Sequence, residues 1–406
     1  LVPPMHFRRG VVMLAVLAGG SGVAGWCVGM SGPAGRSAPS AILAPASSPS
    51  MTLLMEGLCR DSPVPAGPDP YKLVNDDLDF IKGSIKKTLQ SKKGGSSANA
   101  LGSNEVLTMA AREFMQRKGK SFRPMLVLLT GRATNPDFTT DIRHSKLAVI
   151  AEMIHTASLI HADVLEEHET DTTVGTLVHQ EVALDVGNKV CILAGDFLLA
   201  KAAVELSLLE SSAVTEIVAR GLESICEGGM RGFDSEAKAG ALDRTLDEHM
   251  AVIRQSISEL VGNACHSSAI LSGHESTSLT ALGCKEFGDS LATARQLVTE
   301  ADSVEAALRK SRRNPSSFSG APSTPLLLAA QQYPELKTML TGEATAASAA
   351  QAAELIERAG SIEATRRLAE THAQSAAESL AVLPNSATRD ALLVLCHKVV
   401  TGTPIK

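Results

Sequence analysis

Apolar residues recur every three or four positions along most of the chain after residue 70, and this periodicity predicts helices. In the first of these, Leu73, Leu78, Ile81 and Ile85 fall on one side. No run of alternating apolar and polar residues competes as a strand, so the predicted fold class is all-α. Further helices are predicted over residues 106–116, 124–131, 141–169, 183–209, 213–227, 245–272, 278–309, 322–330, 346–359, 362–380 and 385–400.

The N-terminal region has a different composition. Residues 10–35 contain no charged residue, and VVMLAVLAGG within them is typical of a signal-type apolar core. The Ser-, Ala- and Pro-rich stretch RSAPSAILAPASSPS follows without an acidic residue, and the hinge SPVPAGPDP ends at Pro70. These features favour a two-part presequence that directs the protein to a plastid and is then removed. The alternative is a membrane anchor, for which GGSGVAGWCVG is a poor spanning helix. We expect residues 1–69 to be presequence or disordered, and residues 70–406 to form one helical domain.

Composition excludes several classes of protein. Aromatic residues make up only 3% of the chain, which argues against base-stacking nucleic-acid surfaces and sugar-binding clefts. The net charge is −6 and no long basic stripe occurs, so nucleic acid is not an expected partner. Seven cysteines are scattered without a CxxC pair, a pattern typical of buried thiols in a reducing compartment.

The helix predicted over residues 141–169 ends in a cluster of acids that includes Asp163, Glu166 and Glu167. Because like charges repel, such a cluster requires an explanation. One explanation is a divalent cation, since hard oxygen ligands suit Mg²⁺, and the other is a solvated helix end. The interleaved His161 and His168 lack metal-ligand spacing and are interpreted as structural.

Four stretches occur in an order that resembles the trans-polyprenyl diphosphate synthases, in particular the long-chain, solanesyl-type enzymes. The resemblance implies an all-helical domain around a deep central cavity, usually dimeric, that joins an allylic diphosphate to isopentenyl diphosphate. It also implies Mg²⁺, held by two facing Asp-Asp-x-x-Asp motifs that neutralise the leaving diphosphate. The stretches are GKSFRP (119–124), AEMIHTASLIHADVLE (151–166), GNKVCILAGDFLLAKA (187–202) and LPNSATRDAL (383–392).

The first Asp-rich motif departs from the pattern of that family. One aspartate is replaced by Ala162 and the last by Glu166. Asp163 with Glu166 and Glu167, at i+3 and i+4, would still share a helix face and hold one metal ion. The double arginine that should follow is absent from residues 171–175.

The second Asp-rich motif falls at residues 299–303, where Glu300 and Asp302 lie two positions apart. A helix directs such a pair to different sides, so the two carboxylates fail as a chelating pair. The Lys-Thr of the family corresponds here to Ser256-Ile257, and the acidic element near Gly228 has lost its glutamate.

Other positions match the family. Lys120, Arg123 and His155 correspond to the Lys, Arg and His that hold isopentenyl diphosphate there, and Ala157 and Ser158 match the open floor that lets long chains grow. Each has a simpler interpretation: the two cations as ordinary charges near a helix start, and His155 as a core histidine.

The resulting hypothesis is a catalytically impaired polyprenyl diphosphate synthase homologue of quinone side-chain biosynthesis. It would pair with an active prenyltransferase subunit, or form a homodimer, and bind isoprenoid diphosphates. One alternative is an active long-chain prenyltransferase that uses Mg²⁺, and another is a non-enzymatic prenyl-lipid-binding or interaction module. The expected location is the plastid, with the mitochondrion as the alternative.

Overall fold

The structure, a computed structural model, describes residues 58–89, 105–116, 121–135, 141–162, 177–239, 242–311, 322–341 and 346–402. Over these ranges the chain is helical without a strand, and the predicted all-α fold class is confirmed. All of them lie in one compact unit of the chain, Ser47–Lys406.

The helices follow one another as the apolar periodicity predicts, and most begin and end within a few residues of the predicted positions. In the first half of the chain they are α1 (Pro70–Thr88), α2 (Glu105–Gln116), α3 (Phe122–Thr134), α4 (Ile142–Ala162), α5 (Leu177–Ser207) and α6 (Ser212–Ala239). In the second half they are α7 (Leu246–Ile253), α8 (Glu259–Leu271), α9 (Leu279–Ser311), α10 (Thr324–Gln332), α11 (Glu335–Thr341), α12 (Ala346–Ala359), α13 (Ser361–Ser379) and α14 (Ala387–Thr401).

Helix α3 lies at the centre of the main core. Eleven of its 13 residues are buried, and a helix of that kind requires neighbours all round. Met125, Leu126 and Leu129 are fully buried, and α1, α4, α8 and α14 pack around them. A smaller core joins the C-terminal half of α9 to α10, α11 and α12 through Leu308, Leu327 and related side chains.

Residues 58–69 pack against the last two long helices. The backbone N–H of Leu58 donates to Gln374 on α13 at 2.8 Å, and Nε2 of His397 on α14 lies 2.8 Å from the carbonyl oxygen of Ser62. Asp69 accepts from the N–H groups of Tyr71 and Lys72 and so caps α1. A domain boundary at residue 70 would cut through this packed segment.

Helix α6 continues beyond Gly228, where the pattern predicts an end at residue 227. A Cβ added at Gly228 would lie 2.5 Å from Oγ of Ser256, so the glycine lets α6 approach the neighbouring helix closely. The glycine therefore serves packing here and does not terminate the helix.

The helix predicted over residues 245–272 is one continuous helical segment, with a π-helical turn, Arg254–Ser258, between α7 and α8. A π turn holds one more residue than an α turn and rotates the following side chains. The periodicity predicted no such break, and it also predicted no helix where α11 lies.

Among the helices that the structure describes, none combines the length and apolarity needed to cross a membrane.

Candidate functional site

Four ionisable side chains from three helices lie together beside the central helix, and we call the half-buried place that they share the recess. Arg123 is at the second position of α3, Glu152 and His155 lie one turn apart on α4, and Arg295 projects from the middle of α9. Their charges influence one another, and Tyr71 of α1 is coupled to the same group. Each of the four remains half-buried, although the surrounding protein desolvates all of them.

Arg295 is held by an aromatic contact. Its guanidinium carbon lies 3.9 Å from the centroid of the Phe122 ring, which is within cation–π distance. Within the described part of the chain, Nε of Arg123 and Oε2 of Glu152 are buried without a hydrogen-bond partner. Such groups are costly in a folded protein unless water or a ligand satisfies them.

Burial shifts the pKa of every group in the recess. It lowers the pKa of Arg123 to about 10, with Arg295 adding to the decrease and Glu152 opposing it. Burial raises the pKa of Glu152 against the opposing effect of both arginines. It lowers the pKa of His155 to about 3, helped by Arg123 and Arg295, so this imidazole is neutral near pH 7. The recess therefore has a neutral histidine beside two guanidinium groups and the carboxyl group of Glu152.

The other predicted site residues divide into two sets. Lys120, Asp163, Glu166 and Glu167 lie outside the described residues. Ala157 and Ser158 lie near the C-terminal end of α4. Ala157 is fully buried, and the hydroxyl of Ser158 donates to the carbonyl oxygen of His155 at 2.7 Å.

An apolar cavity lies deeper along the same helix. Leu147, Ile150, Ala151 and Ile154 of α4 line one side, and residues of α6 and α8 line the other. At about 10 Å³ it has room for about one water-sized sphere. The α4 residues that line it all lie on the N-terminal side of Ala157.

Glu300, in the second Asp-rich position, is a structural residue. Its carboxylate accepts from the backbone N–H of Thr324 at 2.8 Å and from the side chain of Gln296 at 3.0 Å. Nε2 of His249 lies 3.3 Å from each of its oxygens. Burial alone would raise the pKa of Glu300, but the hydrogen bond with His249 and the other donors keep this pKa below its usual value. The carboxylate is therefore charged and fully engaged in joining α7, α9 and α10.

Asp302 is engaged as well. Arg366 of α13 donates to Oδ1 of Asp302 at 3.0 Å and to Oε2 of Glu305 at 2.6 Å. As the spacing predicts, Glu300 and Asp302 point to different partners. No group of three or more His, Cys, Asp or Glu side chains with metal-binding geometry occurs among the described residues. The second motif thus does not fit a Mg²⁺ ion.

Ser256, in the Lys position of the family pattern, lies in the π turn against Gly228 of α6. A serine hydroxyl at this contact provides no cation for a phosphate group. His161 packs against Gly195 of α5, with Nε2 at 3.3 Å from the carbonyl oxygen of Ile192 and 3.5 Å from Asp196.

The comparisons with known proteins agree with this architecture. Decaprenyl-diphosphate synthase of Dictyostelium discoideum is 33% identical over 347 residues, which cover 83% of this chain and 72% of that protein. Solanesyl diphosphate synthase 3, chloroplastic/mitochondrial, of Arabidopsis thaliana is 30% identical over 359 residues, which cover 82% of this chain and 80% of that protein. A polyprenyl synthase from Caulobacter crescentus CB15, crystallised with calcium and isoprenyl diphosphate, has a similar fold with a TM-score of 0.67 at 24% identity. That similarity covers 84% of this chain and 99% of the Caulobacter chain.

The fold is thus the all-α fold of the isoprenoid synthases. The family model described as polyprenyl synthetase matches residues 104–359, and the chain belongs to this family. It is a homologue of the long-chain trans-polyprenyl diphosphate synthases of isoprenoid biosynthesis.

Sequence reasoning did not identify Arg295 as a site residue, although one signal existed. Phe287 and Leu291 precede it at i−8 and i−4, so Arg295 continues a stripe whose earlier members are fully buried. A charged residue on such a stripe is uncommon unless it is paired or binds a ligand.

Proposed function

We propose that the protein is a catalytically impaired polyprenyl diphosphate synthase homologue that pairs with an active prenyltransferase subunit in quinone side-chain biosynthesis. The main observation behind the proposal is that the carboxylate of Glu300 already forms hydrogen bonds within the fold. A carboxylate engaged by three partners on α7, α9 and α10 is not available to a metal ion without loss of those contacts. The first motif has also lost an aspartate, at Ala162.

One exposed apolar face supports pairing with a second subunit. Leu193 and Val204 of α5 and the adjacent Leu208 are 52%, 57% and 53% exposed, and they fall on one side of the helix. A helix that is apolar all round but exposed along one side is typical of a subunit interface. Replacing Val204 by Glu should weaken the hetero-oligomer in size-exclusion chromatography. The matched control is Leu279→Glu at the start of α9, where the side chain is 79% exposed.

The ligands follow from what remains in the recess. We propose that Lys120, Arg123 and His155 bind the diphosphate of an isoprenoid such as isopentenyl diphosphate, and that Ala157 and Ser158 form the floor that sets chain length. Arg123 and His155 are half-buried, and the charge of Arg123 helps to lower the pKa of His155, so their proximity supports this proposal. If the chain retains activity, Asp163, Glu166 and Glu167 would hold the Mg²⁺ that polarises an allylic diphosphate.

The proposed location is the plastid, with the mitochondrion as the alternative. The apolar, Ser-rich N-terminal region supports a removed presequence. The name of the Arabidopsis relative includes both compartments.

The test is an assay of the purified chain with Mg²⁺, farnesyl or geranylgeranyl diphosphate and isopentenyl diphosphate. We expect no turnover by the chain alone, and a change in product length when an active homologue from the same organism is added. Turnover by the chain alone would overturn the proposal and favour an active long-chain prenyltransferase.

Asp163→Ala separates the remaining possibilities. In the complex, this variant should leave product output unchanged if the chain is a non-catalytic subunit, whereas an active enzyme would lose turnover. A chain that co-purifies with prenyl lipid, but neither reacts nor alters the output of a partner, would be a lipid-binding module.

A further inference from the structure

Arg295 gives the recess a second guanidinium group. It belongs to α9, whereas Arg123 and His155 belong to α3 and α4, and its guanidinium carbon lies 3.9 Å from the centroid of the Phe122 ring. Stacking occupies one face of a planar guanidinium and leaves the N–H groups at its edge free to donate.

The charges of the described recess residues do not balance. Arg123 and Arg295 carry two guanidinium groups, and Glu152, whose pKa burial raises, supplies at most one negative charge, while His155 is neutral and burial raises the pKa of Tyr71 to about 12. At least one positive charge among these residues is therefore uncompensated in a desolvated place. An unpaired charge is unfavourable there unless an anion offsets it.

Glu152 alone does not satisfy both arginines. Its Oε2 and the Nε of Arg123 are both buried without a hydrogen-bond partner among the described residues. An internal ion cluster that had evolved only to hold the helices together would be expected to pair these atoms. An oxygen-rich ligand would accept from the unpartnered guanidinium N–H of Arg123, whereas the carboxyl oxygen of Glu152 requires a donor.

The start of α3 adds to the positive potential. This 13-residue helix begins at Phe122, and the side chain of Ser121 makes no capping hydrogen bond. The first N–H groups of a helix carry a partial positive charge that favours phosphate oxygens. Arg123 lies in that first turn, facing Glu152 and Arg295.

We propose that Arg295 is a diphosphate-binding residue, and that with Arg123 it neutralises a diphosphate monoester in this recess without a metal ion. The inference rests on the diphosphate pocket of the proposed function and adds a residue that the family pattern does not supply. Two guanidinium groups would give the charge-assisted, forked hydrogen bonds that suit phosphate oxygens.

The test is calorimetric titration of the full chain with inorganic pyrophosphate and with isopentenyl diphosphate, both in EDTA. We expect Arg295→Met to weaken binding of both ligands by about tenfold or more. The matched control is Arg309→Met on the same helix, where an exposed arginine pairs with Glu305. It should bind as the wild type does.

The outcomes distinguish two failures. If Arg123→Met loses binding while Arg295→Met binds like the wild type, Arg295 is an internal counter-ion and this inference is wrong. If the wild type binds neither ligand, the diphosphate pocket of the proposed function is itself wrong.

A crystal structure of the wild type with pyrophosphate keeps the inference testable should Arg295→Met fail to fold. An Arg295 nitrogen should then lie within about 3.2 Å of a phosphate oxygen. A bound pyrophosphate out of reach of Arg295 would overturn the inference.

Discussion

Glu300 joins three helices through one carboxylate. His249 comes from α7, Gln296 lies one turn earlier on α9, and the N–H of Thr324 is at the start of α10. A charged acceptor at a helix N-terminus satisfies a free backbone donor and interacts favourably with the helix dipole. At the scale of a single residue, an acid in the second Asp-rich position connects three helices.

Replacing Glu300 by Gln should lower the free energy of unfolding by about 2–3 kcal/mol, because hydrogen bonds to a buried charged group are lost. Asp302→Asn is the matched control. Its side chain is 58% exposed, so the loss of its pair with Arg366 should cost less than about 1 kcal/mol. Urea unfolding measures both values. Equal stability of wild type and Glu300→Gln, with loss of Mg²⁺ binding, would restore the metal-site interpretation.

His155 should make the protein sensitive to acid. Its folded pKa is about 3 and its ordinary value is 6.5, so between these values the unfolded chain binds a proton that the folded chain excludes. Stability contributed by the neutral imidazole is complete above pH 6.5 and declines as the pH falls toward 3. Between pH 7 and pH 5, the free energy of unfolding of His155→Asn should therefore fall by roughly 2 kcal/mol less than that of the wild type.

The measurement is urea unfolding of both proteins across that range. His144, His266 and His372, whose pKa values burial also lowers, titrate in both proteins and cancel in the difference. If the unfolding free energies of the two proteins change in parallel with pH, the assignment of His155 as a neutral buried group is contradicted.

The sequence predicted part of the residue-scale picture. The two-residue spacing of Glu300 and Asp302 was sufficient to predict that they do not chelate together. It could not identify their partners, because Thr324 is 24 positions and His249 is 51 positions from Glu300. Arg295 was missed for the same reason, since its neighbours in the recess come from α1, α3 and α4.

At the scale of elements, two glycines of α5 differ in their surroundings. A Cβ at Gly195 would lie 2.2 Å from Nε2 of His161 on α4, whereas nothing lies within 4 Å of a Cβ at Gly187. The periodicity predicted a helix through both positions. It could not show that α4 and α5 approach each other at one glycine, because a close contact depends on tertiary packing.

Gly195→Ala should lower the free energy of unfolding by about 1–3 kcal/mol, because the added methyl displaces the His161 ring or separates the helices. Gly187→Ala is the control on the same helix, and it should be neutral or stabilise the protein by up to about 1 kcal/mol. Thermal or urea unfolding compares the two. The prediction is contradicted if both variants are equally stable.

At the scale of the whole molecule, the order of the motifs predicted the fold, because each motif lies on a helix whose apolar face packs into a common core. The same order did not reveal which residues surround the second motif. His249, Thr324 and Arg366 come from separate helices and converge on its acids only in the folded chain. Glu300 and Asp302 therefore make internal contacts of the fold at the positions of this motif.

Restoring the aspartates of the second motif should conflict with these internal contacts. Restoring the first motif alone, by Ala162→Asp and Glu166→Asp, should give no turnover with Mg²⁺, farnesyl diphosphate and isopentenyl diphosphate. Restoring the second motif as well, by Thr299→Asp, Glu300→Asp and Ser303→Asp, should lower the free energy of unfolding by about 2 kcal/mol, since the shorter side chain at 300 gives up part of its contacts. Radiolabelled product analysis and urea unfolding of both variants measure these effects. Turnover by the first variant would show that Glu300 and Asp302 still serve a metal ion, and the assignment of Glu300 as a structural residue would then be wrong.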